Sequence, residues 1–116
     1  MSWLEPEMTF GKKEPFIFSQ CEMINARSLA PLQDTPWIKS NYSAKVQCPK
    51  GLTVIMSGIL QKEKSDTDNG IFYFEQKEMK IPSYLLAIAC GDLKRQALDD
   101  RCGVISEPSF LEKSVN

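Results

Sequence analysis

The residues best placed for chemistry are Gln20, Cys21 and Glu22, followed at short intervals by Arg27, Pro31, Asp34 and Pro36. A carboxylate at the end of a strand can receive an ammonium group through charge-assisted hydrogen bonds, and a neighbouring amide can hold a peptide backbone. On residue type alone, Gln20 and Glu22 read first as polar residues at a strand's exposed edge. Arg27 and Asp34 are expected to form a bidentate pair that fastens the irregular loop between them. Asp34-Thr35-Pro36 is a turn signal, because Asp accepts local backbone hydrogen bonds and Pro fixes φ.

Other candidates carry less. Asp66 and Asp68, and likewise Asp99 and Asp100, lack the spacing and terminal glutamate of an EF-hand and read as solvated loops. Phe72, Tyr73 and Phe74 have no basic interleaving, so cross-strand packing is expected rather than base stacking. Cys21, Cys48, Cys90 and Cys102 contain no CxxC pair, which argues against a zinc ribbon or a thioredoxin-like site. They are expected as free thiols of a cytoplasmic protein.

Composition excludes more than it assigns. The 116 residues contain no histidine, so a Ser-His-Asp triad, a Cys-His dyad and an HExxH zinc site are all impossible within this polypeptide. With 14 basic and 15 acidic residues the formal charge is -1, which gives neither a nucleic-acid footprint nor a polybasic membrane patch. No apolar run approaches the ~20 residues of a membrane-spanning helix. The length suits one domain, residues 1–116, with an ordinary core.

The elements that must position these residues are short strands. Alternation from Pro15 to Ile24 puts Phe16, Phe18, Gln20 and Glu22 on one face, an aromatic face that turns polar at its end. Pro31 and Pro36 limit the next stretch to a single helical turn around Ala26 to Leu29. Asn41–Cys48 and Leu52–Leu60, joined by Pro49-Lys50-Gly51, read as a hairpin. Ile71–Glu75 and Glu78–Ile81 are extended. Tyr84–Cys90 is a continuous apolar run, expected as a central strand buried on both faces. A last strand is expected at Cys102–Ser106, then the start of a helix between Glu107 and Asn116, with residues 1–14 a loop-like lead-in. The fold class is all-β: antiparallel or mixed sheets in a sandwich-like, layered arrangement.

Taken together, WLEPE, FGKKEPFIFSQCEMINARSLAPLQDTPWIK, YSAKVQCPKGLTVIMSG and IPSYLLAIACGDL resemble the zinc aminopeptidase family that includes aminopeptidase N and aminopeptidase B. The most specific part is the family pattern Gln-x-Glu/Gln, Arg, Pro-x-x-Asp-x-Pro, matched by Gln20, Glu22, Arg27, Pro31, Asp34 and Pro36. The resemblance runs from about Trp3 to Lys113 and is to the later part of the family's saddle-like N-terminal β domain. It implies that Gln20, Cys21 and Glu22 contact the N-terminal end of a peptide substrate, Cys21 through its backbone, and that Arg27, Asp34 and Pro36 are structural. It implies no catalytic or metal-ligating residue and no cofactor in this chain. The zinc helix, its downstream glutamate ligand, the Gly-x-Met-Glu-Asn motif and the catalytic tyrosine are expected beyond Asn116, in a parent enzyme of which this chain is a fragment. One branch of the family also hydrolyses a leukotriene epoxide. That branch typically carries a second Gln where this chain has Glu22, and a carboxylate there should favour a free α-amine. Leu32 stands where the family often has Cys. The isolated chain is expected to be inactive and to self-associate. The alternative is a stand-alone β-sandwich interaction module.

Overall fold

The computed structural model describes residues 1–115 as nine short strands and a single α-helical turn. The strands are β1 (Ser2–Leu4), β2 (Phe16–Phe18), β3 (Lys39–Gln47), β4 (Thr53–Met56), β5 (Ile59–Leu60), β6 (Ile71–Pro82), β7 (Ile88–Gly91), β8 (Lys94–Ala97) and β9 (Gly103–Ser106); the helix α1 is Leu111–Val115. Asn116, at the end of the expected terminal helix, lies outside the described residues.

Three antiparallel sheets result. The first has the order β1-β2-β7-β4, the second β3-β6-β5, and β8 with β9 forms a two-stranded ribbon. The first two sheets face each other across a core of Val54, Phe72 and Phe74, with Val46, Met56, Leu60, Ile88 and Cys90 packed around it. The period-2 alternation of the strands selects these side chains. Residues opposite one another in register share a face, so Val54 with Cys90 and Met56 with Ile88 line one wall, Val46 with Phe72 and Leu60 with Phe74 the other.

The expected hairpin does not form. β3 pairs with β6, and β4 crosses to the first sheet to pair with β7. Pairing β3 with the aromatic β6 sets Ala44 and Val46 against Phe74 and Phe72, cross-strand pairs of the kind that stabilise a sheet. The expected strand 52–60 is also two strands that belong to different sheets, and the chain turns the corner at Ser57-Gly58. A Cβ on Gly58 would lie 2.9 Å from the Tyr42 hydroxyl and 3.1 Å from the Glu75 carbonyl oxygen, so the corner needs a residue without one.

Other departures are smaller. The apolar run at Tyr84–Cys90 is split: Ser83–Leu85 is a 3-10 turn, and only Ile88–Gly91 is strand. That strand is central in its sheet but half-buried, because only one face of the sheet meets the core. The lead-in contains β1, and the polar β8 gives β9 its partner. The two extended segments at 71–81 are one strand, paired with β3 through an irregularity between Ser40 and Tyr42. After β9, the Glu107 carboxylate accepts the Phe10 amide at 3.2 Å and Phe110 packs edge-on to Phe10 at 4.8 Å, tying the chain's last part to its first.

Candidate functional site

β2 ends sooner than alternation alone suggests. Phe16 and Phe18 stack with ring centroids 5.9 Å apart. Pairing with β7 then closes at Ser19, whose amide donates to the Ile88 carbonyl at 2.9 Å while its hydroxyl accepts the Ile88 amide at 2.9 Å. Gln20, Cys21 and Glu22 therefore lie past the strand, in the segment that leaves the sheet.

The alternation persists through them nonetheless. Cys21 is buried, whereas Gln20 and Glu22 are exposed on either side of it. Cys21 and the fully buried Ala26 anchor the segment to the body of the protein. Its local hydrogen bonds run through main-chain oxygens: the Asn25 amide donates to the Cys21 carbonyl at 3.0 Å, and Asn25 Nδ2 to the Glu22 carbonyl at 3.3 Å. The side-chain amide of Gln20 and the carboxylate of Glu22 are left facing outward. An acceptor carboxylate beside an amide that both donates and accepts is suited to an ammonium group and the peptide unit that follows it.

The loop that carries them is fastened by Asp34. Its Oδ2 accepts the Arg27 amide at 2.9 Å and Arg27 Nε at 3.2 Å, while Arg27 Nη2 donates to the Asp34 carbonyl at 3.2 Å. The guanidinium thus bridges carboxylate and backbone instead of gripping both carboxylate oxygens. Asp34 bonds seven residues upstream, not within its own turn as Asp-Thr-Pro suggested. The second oxygen, Oδ1, accepts the Ser83 hydroxyl at 2.6 Å. The Asp34 side chain is only 2% exposed, and the Arg27 side chain 62%. The Ser83 hydrogen bond holds the Asp34 carboxyl below the usual carboxylate range, desolvation opposes it, and the Arg27 amide and guanidinium reinforce the lowering.

Ser83 was not singled out by any pattern in the sequence. Its only signal is a small hydroxyl residue directly after Pro82, at the end of the longest strand. Pro36 is exposed and leads into the turn that brings the Ile38 amide to the Thr35 carbonyl at 2.9 Å. A cleft of about 290 Å³ opens beside Ser83, lined by Leu32, Ile38, Tyr42, Pro82 and Leu86 among others, but by neither Gln20 nor Glu22.

The remaining candidates have local roles. Asp99 accepts the Arg101 and Cys102 amides, each at 2.7 Å, and so closes the β8–β9 turn. Asp66 accepts Asn69 Nδ2 at 2.6 Å. Phe72 and Phe74 are core, and Tyr73 on the opposite face lies under Lys45, 5.5 Å from the ring centroid. Among the described residues, no three Cys, Asp or Glu side chains are gathered closely enough to hold a metal ion. No helix of the described residues is long and apolar enough to cross a membrane.

Comparison with known proteins bears on this arrangement. The sequence profile for the peptidase M1 N-terminal domain matches residues 7–85. Leucine aminopeptidase 2 of Lodderomyces elongisporus is 45% identical over 113 residues, covering 97% of this chain and 17% of that protein. Leukotriene A-4 hydrolase of Xenopus laevis is 39% identical over 118 residues, covering 99% of this chain and 19% of that protein. The structure of native yeast LTA4 hydrolase superposes with a TM-score of 0.85 at 43% identity, covering 97% of this chain and 17% of that one. The chain thus spans about a sixth of the length of these relatives and matches a stretch of their N-terminal part.

Proposed function

The chain belongs to the peptidase M1 N-terminal domain family, and from that premise we propose that it forms the substrate-facing edge of a zinc aminopeptidase's N-terminal domain. In this reading Gln20 and Glu22 receive the N-terminal end of a peptide: Glu22 pairs with the α-ammonium group, and Gln20 bonds the adjoining peptide unit. The observation that supports it most directly is the outward pair Gln20 and Glu22 on either side of buried Cys21. Such a segment presents two polar groups from a fixed backbone, which reduces the entropy lost when a substrate is ordered against them.

Zinc and the residues that activate water belong, under this proposal, to the parent enzyme outside this chain, and the chain alone has no peptidase activity. This chain is similar both to leucine aminopeptidase 2 and to leukotriene A-4 hydrolase. We assign the aminopeptidase activity first, because a carboxylate at position 22 complements a free amine better than it does an uncharged epoxide. Epoxide hydrolysis is the second activity proposed for the parent.

The test is Glu22→Gln in the complete enzyme, with kcat/KM measured on dipeptide substrates. Loss of one charge-assisted contact predicts a fall of roughly 10- to 150-fold, from about 1.5–3 kcal/mol of transition-state binding. Unchanged kinetics in a folded variant would remove Glu22 from the site.

A further inference from the structure

Cys48 and Cys90 approach one patch of core from opposite sheets. Cys48 directly follows β3 in the second sheet, and Cys90 is in β7 of the first. Both pack against the Val54, Phe72 and Phe74 cluster. Val54 lies directly opposite Cys90 in the β4–β7 register. The Cys48 thiol points to the same strand's approach, 3.7 Å from the Leu52 carbonyl. Both cysteines therefore border the start of β4, Cys48 at Leu52 and Cys90 at Val54. Both residues are half-buried, so a small oxidant can reach them, unlike buried Cys21.

We propose that Cys48 and Cys90 are a redox modification site that closes into a disulfide joining the two sheets. The oxidant is a hydroperoxide. The Cys48 sulfur attacks the peroxide oxygen, the O–O bond breaks, and Cys48 becomes a sulfenic acid with release of one water when the oxidant is hydrogen peroxide. The Cys90 sulfur then attacks the Cys48 sulfur, the S–O bond breaks, and the departing oxygen leaves as a second water carrying the Cys90 proton. Two thiols are oxidised by two electrons and one peroxide is reduced to two waters. Burial, then the neighbouring Cys48 thiol, pushes the Cys90 thiol up to about 11, which leaves it protonated near neutral pH and makes the second step slow. The site therefore responds to sustained oxidation.

The bridge would close a loop containing β4, β5 and β6, and so restrict the unfolded chain strongly. The experiment treats the full chain with hydrogen peroxide, blocks remaining thiols, and maps disulfides by mass spectrometry without reduction, with thermal melting in parallel. The expected result is a Cys48–Cys90 linked peptide, loss of two hydrogens from the intact mass, and a melting midpoint raised by roughly 5 °C or more that dithiothreitol reverses. Cys48→Ala and Cys90→Ala should each abolish the linkage and the reversible shift. Recovery of both cysteines as blocked thiols under conditions that oxidise exposed Cys102, or a bridge mapped to Cys21 or Cys102 instead, would overturn the proposal.

Discussion

The Ser83 hydroxyl donates a 2.6 Å hydrogen bond to Oδ1 of Asp34, across 49 positions of sequence and in a buried setting. That single contact ties the loop carrying Gln20 and Glu22 to the far end of β6. Arg27 holds the same carboxylate from within the loop. The placement of the candidate substrate contacts therefore depends on a residue far from them in sequence.

Removing that hydroxyl should loosen the loop. Ser83→Ala leaves one carboxylate oxygen without its donor and is expected to lower the melting midpoint by roughly 5 °C. The acid limb should change as well. Because the folded-state pKa of Asp34 is lowered, its contribution is present above the ordinary carboxylate pKa of about 3.9 and is lost as pH falls through the lower folded value. Asp34→Asn should remove that part of the acid dependence, and Ser83→Ala should shrink it. Melting midpoints measured from pH 7 down to pH 2 check both; parallel acid limbs in wild type and Asp34→Asn would dismiss the linkage.

Gly58 is the corner between the two sheets. Its missing Cβ faces the Glu75 carbonyl at 3.1 Å, and backbone cannot swing away as a side chain can. Gly58→Ala is expected to cost about 1–3 kcal/mol in chemical denaturation, as overpacking does elsewhere. Gly51, at φ 90° with open space around it, should respond through strain alone. Equal stability of Gly58→Ala and wild type would show that the corner yields freely.

The isolated chain is proposed to self-associate. Its sheets end in the outer strands β1, β4, β3 and β5, whose outward N–H and C=O groups have no neighbouring strand among the described residues. Large apolar side chains are also exposed, including Trp37 at 88%, Met23 at 70% and Met79 at 69%. Sedimentation equilibrium over a wide concentration range should give a mass that rises with concentration above 13.1 kDa. A constant monomer mass at the highest concentration would argue that these edges are protected and would favour the stand-alone module.

The family, the all-β class and the outward pairing of Gln20 with Glu22 were legible in the residues. The quoted motif carries the family, and a two-residue period decides which side chains share a face even just beyond a strand's end. The absence of histidine likewise bounds this chain's chemistry without any structure. Which strands pair was not legible. β3 and β4 are adjacent and separated by a turn, yet each finds its partner elsewhere: β3 lies against Phe72 and Phe74 of β6, and β4 against Ile88 and Cys90 of β7. Ser83 beneath Asp34, Cys48 and Cys90 against one core cluster, and the corner at Gly58 follow from that pairing. Local patterns specify which face of a strand is apolar; only the closing of the two sheets over one core decides which residues distant in sequence meet.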